Sequence, residues 1–165
     1  MKLDRRNFVW SGATLLGLGG LGYLMRGTAP ALASDGNYAV TMTDEEWRAK
    51  LGDAAYDVLR HEGTERAFTS PLLEEHRVGV FACAGCDLPL YKSDTKFESG
   101  TGWPSFYTYI DGALGTKVDN SLFGQRTEVH CSRCGGHQGH VFEDGPQPTG
   151  LRYCINGLAI KFIAA

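Results

Sequence analysis

Two short cysteine pairs set the strongest limit on how this chain can fold. Cys83-Ala84-Gly85-Cys86 and Cys131-Ser132-Arg133-Cys134 share one C-x-x-C spacing and stand 44 residues apart. Two intervening residues let a tight turn aim both sulfurs at one point, and two such turns complete a tetrahedral thiolate set around one metal ion. All four ligands would be protein, so the metal is expected to be structural, with no open position for a substrate. Zinc is the expected ion; a rubredoxin-like iron fits the same ligands, because four thiolates alone do not select the metal. Asp87 and Gly135 follow the pairs where a c-type haem would require histidine. Two local disulfides are the competing reading in an exported protein. A thioredoxin-like redox pair is disfavoured because no βαβ pattern surrounds either motif.

The compartment matters to that choice, and the N-terminus speaks to it. Met1 to Arg6 is short and basic and contains Arg5-Arg6, followed by Asn7-Phe8. Phe8 to Met25 is mainly apolar and uncharged, diluted by glycine, and Ala31-Leu32-Ala33 offers the small-x-small pattern of a signal-peptidase site. This arrangement resembles the twin-arginine class of bacterial export signals, which carry folded cargo, so metal could enter before the protein meets oxidants. Residues 1–33 are therefore expected to be a removable export signal, with a bacterial periplasmic destination; an uncleaved membrane anchor is the alternative. Residues 34–42 read as a flexible leader and 43–165 as one domain. Without residues 1–33 the chain keeps 12 basic and 18 acidic side chains, a formal charge of −6. An acidic domain with no basic block is poorly suited to neutralising phosphates, which argues against nucleic acid as a partner.

Within the domain, Thr43-Asp44-Glu45-Glu46 has the form of a capping box. Trp47, Leu51, Ala54, Ala55, Val58 and Leu59 follow at helical spacing, with Gly52-Asp53 expected to split the segment into two short helices. Beyond Gly63 the pattern changes. Residues 78–82, 88–91, 127–130, 151–155 and 159–163 are short and strand-like, separated by clusters of Gly, Pro, Asp and Ser. The expected fold is mainly β with a helical N-terminal segment.

The fifth cysteine, Cys154, is left outside both pairs. On a strand, Arg152, Cys154 and Asn156 share one face, and a guanidinium beside a thiol favours the reactive thiolate. Just upstream, His137-Gln138-Gly139-His140 supplies two imidazoles that can give or take a proton near neutral pH. Each residue alone has a bland reading, as core packing or solvated surface. Their crowding points to a cysteine-dependent enzyme.

The stretch Cys131 to Asn156, CSRCGGHQGHVFEDGPQPTGLRYCIN, resembles the signature of methionine-R-sulfoxide reductases. Ser93 to Phe106, SDTKFESGTGWPSF, is a second matching block, and GTERAF with the first cysteine pair extends it; together they cover nearly all of residues 43–163. The resemblance implies two antiparallel sheets in a tent-like arrangement, with a zinc clip away from the active site. It implies Cys154 as nucleophile and Trp103 as the wall of a pocket for the substrate's S-methyl group. His137 and His140 would bind or protonate the sulfoxide oxygen, and Asp144, Arg152 and Asn156 would orient that network. Gly157 and Gln138 stand where many relatives carry Ser and Leu. Thr101 stands where many carry a second, resolving cysteine.

The implied chemistry is attack by Cys154 on a sulfoxide sulfur whose oxygen takes a proton, leaving Cys154 as a sulfenic acid. The expected partners are an oxidised protein or peptide and a thioredoxin-like thiol donor. Two other readings use the same residues. A Cys-His-Asn hydrolase would combine Cys154, His140 and Asn156; a zinc module that binds a partner protein would not depend on Cys154.

Overall fold

The computed structural model describes residues 37–120 and 124–165; the expected export signal, 1–33, lies outside the described residues. The first element is α1 (Asp44–His61), opened by the expected capping box: Thr43 Oγ1 accepts from Glu46 N–H, and Thr43 N–H donates to the Glu46 carboxylate at 2.8 Å. Gly52, at φ 73°, breaks the helical backbone, so two helical halves meet at a kink there. The buried stripe Trp47, Tyr56, Val58 and Leu59 faces the rest of the domain.

Among the described residues nine strands follow: β1 (Gly79–Cys83), β2 (Pro89–Lys92), β3 (Lys96–Phe97), β4 (Ser105–Phe106), β5 (Leu114–Asp119), β6 (Arg126–Cys131), β7 (His137–Phe142), β8 (Arg152–Ile155) and β9 (Ile160–Ala164). They form two antiparallel sheets, of order β2-β1-β9 and β3-β4-β8-β7-β6-β5. The expectation of a mainly β fold with two antiparallel sheets and one helical segment is met. Phe81 and Tyr91 of the small sheet meet Phe106 of the large one, Tyr91 stacked on it at 4.2 Å and Phe81 edge-on at 5.0 Å. All three are fully buried, and burying side chains of this size contributes roughly 1.5–3 kcal/mol each.

The five strand-like segments read from the sequence all appear, shifted by about a residue. Four strands were not anticipated: β3, β4, β5 and β7. Two of them, β3 and β4, are only two residues long, too short to show alternation. The strand β7 hides for a different reason. Val129 pairs with Gly139 but His130 pairs with His137, so one extra residue is inserted on β7. Such a bulge breaks the two-residue period that marks a strand.

That bulge has a chemical consequence. Residues 137 and 140 would lie on opposite faces of a regular strand. With Gln138 as the extra residue, both imidazoles come to one face, their ring centroids 5.5 Å apart. Gly139 makes the bulge possible, because a Cβ there would stand 2.0 Å from the Cys154 carbonyl oxygen.

Candidate functional site

The two C-x-x-C pairs fold as matching knuckles at strand ends. In each, the residue after the second cysteine takes a left-handed backbone, Asp87 at φ 63° and Gly135 at φ 69°. Its N–H then closes on the first cysteine's carbonyl at 2.9 Å, Asp87 to Cys83 and Gly135 to Cys131. At Gly135 a side chain is also barred by the Tyr38 ring, 2.2 Å from where a Cβ would sit. The segment expected as a leader thus touches the second knuckle at Tyr38, and Val40 N–H donates to the Arg133 carbonyl. Trp47 and Leu59 of α1 pack on the turns near Gly85 and Gly136, and Arg60 donates to the Cys134 carbonyl at 3.0 Å.

The sulfurs of Cys83, Cys86, Cys131 and Cys134 lie within 4.8 Å of one another. The Cys83–Cys134 and Cys86–Cys131 separations are 3.7 and 3.5 Å. A tetrahedral ion with metal–sulfur bonds of ~2.3 Å would hold its sulfurs ~3.8 Å apart, whereas a disulfide needs ~2.05 Å. All five cysteines are free thiols. The donor set therefore fits one metal ion, and the local-disulfide reading does not describe this geometry.

The fifth thiol sits elsewhere. Cys154, in the middle of β8, pairs directly across to His140 on β7 and to Ser105 on β4. A cavity of about 130 Å³ opens there, lined by Thr64, Trp103, Arg126, Gly139, His140, Phe142, Cys154 and Asn156. Trp103 is held by its indole N–H, which donates to the Glu65 carbonyl at 3.1 Å. Thr101 Oγ1 lies 3.9 Å from Cys154 Sγ. Burial pushes the Cys154 thiol above its ordinary pKa; Thr101 and Arg152 pull it down, and burial wins. The expectation that Arg152 favours the thiolate is right in sign and outweighed in size.

His140 is tuned the opposite way. Burial lowers its pKa, although its Nε2 lies 2.8 Å from Asp119 Oδ2, which favours the charged ring. Asp119 in turn accepts from Arg126 at 2.7 Å. His137 is placed behind His140, buried, with Nδ1 2.7 Å from Glu128 Oε1; His130 Nδ1 takes the other oxygen, Oε2, at 2.8 Å. Burial opposes the Glu128 charge, yet the two imidazoles hold its carboxyl down at about 2.

Of the residues expected in the site, Trp103, His140, Cys154 and Asn156 line the cavity. His137 does not, and reaches it only through His140. Asp144 and Arg152 form a bidentate ion pair, 2.8 Å on each arm, with the guanidinium over the Phe142 ring at 4.5 Å. Arg152 also lies beside Cys154, close enough to pull its thiol down. Asn156 accepts from Glu65 N–H at 3.0 Å and donates to the Gln138 carbonyl at 3.1 Å, while the His140 ring is turned to Asp119. The Cys-His-Asn arrangement of the hydrolase reading is thus not formed.

Sequence reasoning missed Thr64, Arg126, Phe142, Asp119 and Glu128. Asp119 and Arg126 are partners across β5 and β6, a pairing no local pattern reveals. The two unusual residues both have structural settings. A Cβ on Gly157 would stand 1.9 Å from Ser70 Oγ, so the serine oxygen fills that space. Gln138, fully buried, donates to the Gly136 carbonyl at 3.1 Å and to Cys83 Sγ at 3.7 Å, and its backbone carbonyl accepts from Asn156. One residue links the cysteine cluster to the cavity.

A lone thiol and an imidazole share an aromatic-walled cavity on a two-sheet β scaffold that also carries a four-cysteine cluster fit for one metal ion. The SelR domain family matches residues 51–164, and the chain belongs to it. It is 52% identical over 127 residues to the peptide methionine sulfoxide reductase MsrB of Leptospira interrogans, covering 76% of this chain and 97% of that protein. The protein of the same name from Methanosarcina barkeri is 54% identical over 125 residues, covering 75% and 88%. That of Thiobacillus denitrificans is 51% identical over 121 residues, covering 73% and 92%.

Proposed function

We infer that this chain reduces methionine-R-sulfoxide in oxidised proteins to methionine, with Cys154 as nucleophile. The observation that carries the reading is the direct cross-strand placement of Cys154 and His140 in a cavity walled by Trp103, in a chain about half identical to named reductases. Trp103 receives the methylthio group, a sulfur–ring contact of ~0.3–1.5 kcal/mol. The resting pair is a neutral thiol and a neutral imidazole, as burial favours for both. His140 takes the Cys154 proton and passes it to the sulfoxide oxygen as the thiolate attacks the sulfur. The protonated oxygen then moves from the substrate sulfur to the Cys154 sulfur as the new sulfur–sulfur bond and the original sulfur–oxygen bond break, so methionine leaves reduced by two electrons and Cys154 becomes a sulfenic acid, oxidised by two. His137 backs His140, while Asp144, Arg152 and Asn156 hold the walls in place.

Recycling needs an outside thiol. Thr101 occupies the place beside Cys154, and the other four cysteines form the cluster. A thioredoxin-like dithiol condenses with the sulfenic acid, releasing water and forming a mixed disulfide, which its second thiol resolves. The cluster's metal is zinc, held by Cys83, Cys86, Cys131 and Cys134, and it supplies cross-linking rather than chemistry. The protein is exported by the twin-arginine route and released from its signal after Ala33, a reading that rests on Arg5-Arg6, the uncharged run and Ala31-Leu32-Ala33. Replacing both arginines by lysine is expected to leave the protein in the cytoplasm, read by cell fractionation; continued export would remove this reading.

The main test is one turnover on an oxidised peptide without reductant, followed by peptide mapping. Reduced methionine and an oxidised Cys154 with no intramolecular disulfide are expected. A disulfide between Cys154 and a cluster cysteine would overturn the recycling scheme, and turnover of a generic ester with no thiol requirement would overturn the reaction itself.

A further inference from the structure

The Cys154 cavity, at about 130 Å³, accommodates the end of one side chain. The rest of a polypeptide substrate must lie on the surface around it. There the structure holds an aromatic ring in an unusual way. Phe68 is 70% exposed, and its backbone is left-handed at φ 65°, a conformation disfavoured for bulky L residues. Its N–H donates to the Gly102 carbonyl at 2.8 Å. Gly102 is itself at φ 88°, and a Cβ there would stand 2.8 Å from the Phe68 ring. The ring thus lies against the one residue that separates Thr101, beside Cys154, from Trp103, the cavity wall.

Folding alone does not select this arrangement. Asparagine or glycine would suit the backbone at position 68, and a polar side chain would suit the solvent. Contact with an apolar group from outside the molecule accounts for both. We propose that Phe68 is a specificity-determining residue that seats the apolar side chain neighbouring the oxidised methionine in an unfolded or partly unfolded polypeptide. Methionine is a core-filling residue, so its sequence neighbours include core residues that become accessible when oxidation disrupts packing. The proposal rests on the reductase reading above.

Steady-state kinetics with dithiothreitol as reductant tests it, using free methionine-R-sulfoxide and a short peptide with leucine on both sides of the sulfoxide. Phe68→Asn removes the ring while suiting the left-handed backbone; Phe68→Leu keeps an apolar group. The Asn variant is expected to raise KM for the peptide roughly ten-fold with kcat held, as for loss of one aromatic contact. The ratio of peptide to free-substrate kcat/KM falls by the same factor, and Leu restores part of it. Equal losses on both substrates, or an unchanged peptide KM, would overturn the proposal. A wild-type protein that reduces neither substrate would instead remove the reductase reading, and this inference with it.

Discussion

The cysteine cluster and the Cys154 cavity are both thiol sites, only one residue apart through Gln138, yet they are built by opposite rules. The cluster is made of two local knuckles, each closed by its own backbone hydrogen bond at a strand end. Its four sulfurs are equivalent in kind, buried and aimed at one point, which suits an inert ion. The cavity gathers the middles of β7 and β8 with loop residues far off in the chain, Thr64 and Trp103. There one thiol faces different neighbours on each side: an imidazole, a hydroxyl and an aromatic wall. Equivalent donors make a staple, whereas unequal ones make a reaction possible, because a proton and an electron pair must move in a defined direction.

The largest effect that separates the two sites is expected from Cys154→Ser. Activity should fall on the order of 10⁴-fold or more, since the proposed reaction has no other nucleophile, while metal content and Tm stay as in the wild type. Turnover within about a hundred-fold of the wild type in that variant would falsify the division of labour. Cys134→Ser should act on the other side of the comparison. It is expected to lose the metal and several kcal/mol of stability, on the order of 10 °C or more in Tm, because structural metal binding is coupled to folding. Metal stoichiometry and a melting curve read this directly, and an unchanged Tm would mean the cluster is not a staple.

His140→Ala sharpens the account of the cavity. A positioned proton carrier acts mainly in the transition state, so kcat should drop on the order of 10²–10⁴-fold with little change in KM. A variant altered only in KM would pass the proton role elsewhere, with His137 behind it as the first candidate.

The smallest effect concerns Glu128, whose carboxyl is held at about 2 against an ordinary 4.5. A depressed carboxylate contributes stability that is fully present above the unfolded value and is lost as pH falls through the folded one. Stability should therefore decline between about pH 4.5 and 2, by about 3 kcal/mol for this group. Glu128→Gln should flatten that part of a denaturation series taken across acid pH. An unchanged slope would place the acid sensitivity in other carboxylates.

Some of this was written locally and some was not. The knuckles were legible because a metal-binding turn is a short-range object: spacing alone determines that two sulfurs converge. The capping box, the kink at Gly52 and five of the strands were legible for the same reason, since hydrogen bonds and periodicity within a few residues encode them. The lone Cys154 stood out by elimination, and the motif around it brought Trp103, His140 and Asn156 into view. What the chain's order could not reveal was orientation across strands. Alternation puts His137 and His140 on opposite faces, and only the bulge at Gln138 brings them together. The partners Asp119 for His140 and Glu128 for His137 arrive from β5, two strands over, and from the adjacent β6, 21 and 9 residues away. The balance at Cys154 was likewise a tertiary outcome, because the depth of burial, which no sequence pattern states, overrides the pull of the nearby Arg152. Local chemistry chose the residues; packing in three dimensions decided which of them meet and which proton each one holds.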